Sequence, residues 1–193
     1  MIKYKMEHYY KNEDGWFNYQ DFYRNVVTLL PQDANIVEVG AWKGSSTAYL
    51  GVEIFNSGKN VTLNVVDTWE GSPNHSEIVK TDDIYAKYLE NMKPLDGKVN
   101  YKSLKMTSVE ASKLFEDESL DFIFIDANHS FESVCEDIDV WLPKLKYGGL
   151  ISGHDYDPNH QGVIDAVNLK FNGHDNYYTI GYVWYTYKTK YDV

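Results

Sequence analysis

Residues 36–47 read IVEVGAWKGSST. A short apolar, β-branched run, Ile36–Val39, meets a glycine, and a serine-led helical segment follows. A strand, a glycine turn and a helix N-terminus let a ligand lie against bare backbone at the amide-rich start of a helix. The spacing is Glu38-x-Gly40-x-x-x-Gly44 with Trp42 inside the turn, and the dinucleotide pattern G-x-G-x-x-G is absent. A ribose-binding acid is expected about 20 residues on. The next apolar run, Val61–Val66, ends on Asp67, whose carboxylate can accept both hydrogen bonds of a ribose 2′,3′-diol. Turn and acid together point to a nucleoside ligand.

Outward from this unit, apolar runs alternate with helical patterns, as in a mainly parallel sheet covered on both faces. A helix is expected over 16–30, stopped by Pro31, and another from Ser45 to about Asn56 with Gly58 as its C-cap. Residues 68–80 read as loop and Asp82–Met92 as helix. Val99–Leu104 is a third strand, and Thr107 with Glu110 forms a T-x-x-E capping box for a helix to Phe115. Phe122–Ile125 is the fourth strand and ends on Asp126. Phe131, Val134, Cys135, Ile138, Trp141 and Leu142 then recur at helical spacing. Gly148-Gly149 turns into a fifth strand, Leu150–Ser152, and residues 161–171 read as helix. Tyr177–Ile180 and Tyr182–Lys188 form a terminal hairpin about Gly181. The expected fold is α/β, a Rossmann-like three-layer sandwich with seven strands, mostly parallel, the last antiparallel. One domain spans 1–193. Residues 34–193 make the cofactor-binding core, and 1–33 make a helical, aromatic segment that serves as lid or dimer contact.

Composition narrows the partners. The chain has 193 residues, 29 acidic against 18 basic, and a net charge of −11. Arg24 is its one arginine, whereas bidentate phosphate and base recognition relies mainly on arginine. A nucleic-acid or anionic-membrane footprint is therefore not expected. No apolar run approaches the roughly 20 residues of a membrane span. The start MIKYKMEHYY lacks a signal-peptide core. One cysteine, Cys135, excludes an internal disulfide and a multi-cysteine metal site, and a reducing cytoplasm suits it. Cys135 itself reads as a small core hydrophobe.

The stretches EVGAWKGSST (38–47), VVDTWEGSP (65–73), LDFIFIDANHSFESVCEDI (120–138) and LPKLKYGGLISGHDYD (142–157) resemble the class I S-adenosylmethionine-dependent methyltransferases. The resemblance is to the small "methyltransferase 24" type, related to the metal-dependent catechol, caffeoyl-CoA and macrocin O-methyltransferases, and covers roughly 34–187. It implies S-adenosylmethionine as cofactor. It places Glu38, Gly40, Ala41 and Gly44 in the first motif, under the cofactor's amino-acid part. Ser45 and Ser46 fall near its carboxylate, Asp67 and Thr68 at the ribose, and Trp69 where a side chain can cover the adenosine. Met106, Thr107 and Ser108 fall at the adenine, and Asp126 beside the methyl-transfer centre. Met106 has core packing as its competing role.

Two strand ends carry the candidate chemistry. Asp126-Ala127-Asn128-His129 follows strand four, and His154-Asp155 follows strand five. Ligands of open α/β sheets bind outside the carboxyl ends of the strands, so Asp126, His129, His154 and Asp155 should meet in one pocket. A hydroxyl that accepts a methyl group must lose a proton, and a histidine of ordinary pKa about 6.5 is a suitable base. His129 sits three residues beyond Asp126, where the resembling enzymes place their base, usually a lysine; a helix-capping or ligand-orienting histidine is the competing reading. Those enzymes hold a divalent metal with one carboxylate after strand four and an Asp-Asp or Asp-Asn pair after strand five. Asp126, His154 and Asp155 occupy these places, and the histidine departs from the pattern. Magnesium prefers oxygen ligands, while manganese, iron or zinc tolerates a mixed set. Metal-free substrate binding is the alternative. His8, His75, His160 and His174 read as surface residues.

The (N/D)-P-P-(Y/F) tetrad of DNA amine methyltransferases and the Pro-Cys nucleophile of cytosine C5 enzymes are absent. The expected function is O-methylation of a small hydroxylated molecule: a sugar, a catechol-like ring or a natural product. The competing readings are a non-catalytic nucleoside-binding module and, less favoured without G-x-G-x-x-G, a nicotinamide-linked oxidoreductase. Tyr4, Tyr9, Tyr10, Trp16, Phe17, Tyr19, Phe22 and Tyr23 make the N-terminal segment aromatic, suited to a ring or sugar face or to a homodimer contact. Loop 69–80 is a second candidate lid.

Overall fold

The computed structural model describes residues 5–10, 16–71, 82–171 and 177–189. The apolar runs become strands β1 (Asn35–Val39), β2 (Thr62–Asp67), β3 (Asn100–Lys105), β4 (Leu120–Ile125) and β5 (Leu145–Gly153), followed by β6 (Tyr178–Ile180) and β7 (Val183–Tyr187). Among the described residues they form one seven-stranded sheet in the order β3-β2-β1-β4-β5-β7-β6. The first five are parallel. β7 runs antiparallel to both of its neighbours, so the hairpin about Gly181 forms as its sequence indicates.

The strands are apolar on both faces because both are covered. Ile36, Phe122 and Phe124 point into one core cluster, and Val37, Ile123 and Ile125 into the other. On the first face lie α1 (Gln20–Leu29), α2 (Ser45–Ser57) and α3 (Ile84–Met92). On the second lie α4 (Ser108–Ser112), α5 (Phe131–Trp141) and α6 (Gln161–Lys170). The caps follow the sequence. Gly58 ends α2 in the left-handed conformation, and Thr107 with Glu110 makes the capping box of α4.

Two elements differ from expectation. Residues 16–19 are not helical, and exposure alternates along them, with Phe17 and Tyr19 buried. A helix would scatter these rings, whereas an extended segment puts both inward, Tyr19 edge-on to Phe17 at 4.8 Å. Strand β5 starts at Leu145 rather than Leu150. It pairs there with Leu120, breaks register, and resumes at Leu150 opposite Phe122, with Gly148 left-handed inside the irregularity.

The chain crosses the sheet from β2–β1 on one side to β4–β5 on the other. The switch point therefore lies at the carboxyl ends of β1 and β4, where such sheets open a crevice. No described helix is long and apolar enough to cross a membrane.

Candidate active site

A cavity of about 770 Å³ opens at the switch point, within the ~300–1,000 Å³ range of small-molecule sites. Its floor is the glycine turn. Gly40 has φ +90°, and a Cβ there would collide with the backbone carbonyl of Asp126. Only glycine lets β1 and β4 close this tightly beneath a ligand. The Asp67 carboxylate braces the turn. Its Oδ2 accepts from the amides of Ala41 and Trp42, both at 2.8 Å, and Oδ1 accepts from the Trp69 amide at 2.7 Å. Three of about four acceptor positions are thus taken, which leaves about one for a ribose hydroxyl rather than the two expected from sequence.

Of the residues named for the cofactor, Gly40, Ala41, Ser45, Ser46, Asp67, Thr68, Met106, Thr107, Ser108 and Asp126 line the cavity. Glu38, Gly44 and Trp69 stand behind its wall. Glu38 is fully buried and accepts from the hydroxyls of Tyr23 at 2.8 Å, Ser46 at 2.7 Å and Thr47. Burial pushes its pKa up to about 7 against those hydrogen bonds. It ties α1 and α2 to β1. Gly44 is the left-handed N-cap of α2, packed on Tyr88. Trp69 packs between Tyr85 and Tyr88 with its indole N–H on the Trp42 carbonyl, so it does not cover a ligand. Met106 both lines the cavity and packs on the second core cluster.

The four strand-end residues do meet. His129 Nε2 lies 2.9 Å from Asp155 Oδ2 and 3.9 Å from Asp126 Oδ1. His154 Nδ1 lies 3.2 Å from Asp155 Oδ1, and its Nε2 is 3.0 Å from the Asn18 side-chain carbonyl. The Tyr19 hydroxyl donates to Asp126 Oδ2 at 2.9 Å. Asp155 has φ +58°, which is uncommon away from glycine and turns its carboxylate between the two imidazoles. Burial pulls the His129 pKa down, but the neighbouring carboxylates of Asp126 and Asp155 overcome it and raise it to about 10. His154 shifts the same way, against burial, through Asp155 and Asp126. Asp155 is held well below the usual carboxylate range, because its bonds to His129 and His154 outweigh burial.

Three participants are not among the site residues read from sequence. Asn18 and Tyr19 come from the extended segment, whose conformation no local sequence signal announces. His160, expected at the surface, lies half-buried at the start of α6. Its ring meets that of His129 edge-on at 4.7 Å, and its Nδ1 is 2.8 Å from Asp157 Oδ2. Its signal is the Asp157-x-x-His160 spacing. Two sets of donor atoms converge closely enough for a metal ion: Asp126, His154 and Asp155, and His129, Asp155 and His160. His8 is exposed and pairs with Glu53 at 2.8 Å. His75, His174, Tyr4 and residues 72–80 of the loop lie outside the described residues. Cys135 is half-buried beside the second core cluster, and burial pushes its thiol pKa up, away from reactivity.

The comparisons with known proteins agree with this architecture. The O-methyltransferase NovP is similar in structure, with a TM-score of 0.65, 20% identity, and coverage of 89% of this chain and 79% of that one. An O-methyltransferase of Bacillus cereus, solved with S-adenosylhomocysteine, has a TM-score of 0.55 and 21% identity, covering 95% and 84%. A precorrin-6y C5,15-methyltransferase of Geobacter metallireducens reaches 0.62 at 14% identity, covering 88% and 82%. At such identities the likeness is one of fold. An uncharacterized protein of Sinorhizobium fredii, y4gI, is 25% identical over 156 residues, 80% of this chain. The chain spans only 16% of that protein's length. A family model described as a methyltransferase domain matches residues 37–156, from β1 past β5 and more than half of the chain. The protein therefore belongs to this methyltransferase family.

Proposed function

We propose that the protein moves the methyl group of S-adenosylmethionine to a hydroxyl oxygen of a small molecule. The observation that carries this reading is the meeting of His129, Asp126 and Asp155 in the same cavity as the glycine turn and Asp67. The cofactor, when bound, supplies an electrophilic methyl group on a sulfonium cation. The turn at Gly40 and Ala41 gives it bare backbone, Asp67 gives one acceptor to its ribose, and the anion of Asp126 offsets its charge. The cation's charge beside Asp126 and Asp155 lowers the His129 pKa, the ring gives its own proton to solvent, and its free Nε2 then accepts the hydroxyl proton.

Magnesium does not fit. It needs a near-octahedral oxygen shell, and the pair after β5 offers an imidazole whose two nitrogens face Asp155 and Asn18. No step of the proposed reaction passes through it. Trp16 and Trp42, 5.8 Å apart at the mouth, offer aromatic faces for a ring or sugar. With the acidic balance of the chain, this favours a small neutral acceptor over nucleic acid.

The test is transfer of a labelled methyl group to a panel of sugars, catechols and phenols. Transfer to oxygen is expected, with His129→Ala losing turnover by about 10²-fold or more while cofactor affinity changes little. Equal loss of turnover and affinity would contradict the base assignment. Cofactor binding with no transfer to any hydroxylated acceptor would favour a binding module.

A further inference from the structure

We propose that His129, Asp155 and His160 form a binding site for a divalent transition metal of the zinc class. The three donors come from separate elements: the loop before α5, the end of β5 and the start of α6. Their ligating atoms all lie within 4.8 Å of one another. Asp155 stands between the other two, its Oδ2 2.9 Å from His129 Nε2 and its Oδ1 3.6 Å from His160 Nδ1. Ligands about 2.0–2.2 Å from a tetrahedral zinc are separated by about 3.4 Å, near these two distances, one to each oxygen of the carboxylate.

The backbone is built to hold this approach. Gly162, in the first turn of α6, faces the loop that carries His129. A Cβ there would stand 2.6 Å from the His129 carbonyl and 2.7 Å from the Phe131 amide. Only a residue without a side chain lets α6 press His160 against His129. Asp157 Oδ2 lies 2.8 Å from the same His160 nitrogen, so an ion bound there takes the place of that hydrogen bond. Two imidazoles and one carboxylate, with the remaining positions open to the cavity, suit zinc, cobalt, manganese or iron and disfavour magnesium. This set differs from Asp126, His154 and Asp155, sharing only Asp155. An ion here takes the His129 nitrogen that would accept a proton. Zinc and methyl transfer then compete, a consequence that rests on the methyltransferase reading.

The test is titration of the full chain, first stripped with a chelator, by zinc against a chromophoric competitor and by cobalt for its visible ligand-field bands. We expect one ion per chain at micromolar affinity or tighter, with millimolar magnesium failing to displace it. His160→Ala and the shape-preserving His160→Gln should each weaken binding by about tenfold or more. Circular dichroism of the variants separates loss of a ligand from loss of fold. Absence of zinc binding below millimolar overturns the proposal. So does binding that both His160 variants leave intact and Asp126→Ala abolishes, because the ion would then lie in the other set. S-adenosylhomocysteine binding to the zinc-free protein is read separately, so a failed metal site and a failed methyltransferase reading give different results.

Discussion

Gly40 is the residue at which the fold and the site are least separable. Its φ of +90° and its contact with the Asp126 carbonyl leave no room for a side chain. Gly40→Ala should cost about 2–4 kcal/mol in urea unfolding and should open the cavity floor. Asp67 is nearly as constrained. Its carboxylate holds three amides of the chain itself, so Asp67→Asn, which replaces one acceptor oxygen by a donor, should destabilise by about 2 kcal/mol. A ribose acid with no structural role would show no such loss. The sequence marks Asp67 as a ligand acid, but its bracing of the turn depends on three amides, two of them some 25 positions away in the chain. Spacing cannot display that.

At the scale of the elements, signals carried by local chemistry were readable: the glycine C-cap of α2, the capping box of α4 and the hairpin about Gly181. Signals carried by partners were not. Nothing local to residues 16–19 requires them to be extended; the requirement comes from Asp126, His154 and the core across the sheet. Helix α5 carries its own test. Asp137 is buried on it, and burial, only partly offset by Ser108, pushes its pKa from 3.8 up to about 6. A raised carboxyl pKa means that the folded state prefers the protonated form. The associated stability is full below pH 3.8 and is lost as pH rises through about 6. Asp137→Asn should therefore stabilise the protein by about 2–3 kcal/mol near pH 8 and by nothing near pH 3, as measured by urea unfolding.

For the molecule as a whole, the fold was legible because seven strands and their order of appearance follow from apolar runs and turn residues. The site is legible because open α/β sheets bind ligands at strand ends, where Asp126, His129, His154 and Asp155 stand. The Asp157-x-x-His160 spacing marks His160 as a paired side chain but does not place it against His129. Its place depends on α6 docking against the His129 loop, which only the missing side chain of Gly162 permits. The acidic charge also reads differently in three dimensions. Asp126 and Asp155 are internal partners of histidines, and Glu38 is an internal tie between helices. The central claim is that this cavity holds the methyl-donor nucleoside. Calorimetric titration of S-adenosylhomocysteine into the wild type and into Asp67→Ala tests it most directly. The account predicts one-to-one binding, weakened by about tenfold or more in the variant. No binding to well-folded wild-type protein, or equal binding by Asp67→Ala, would contradict it.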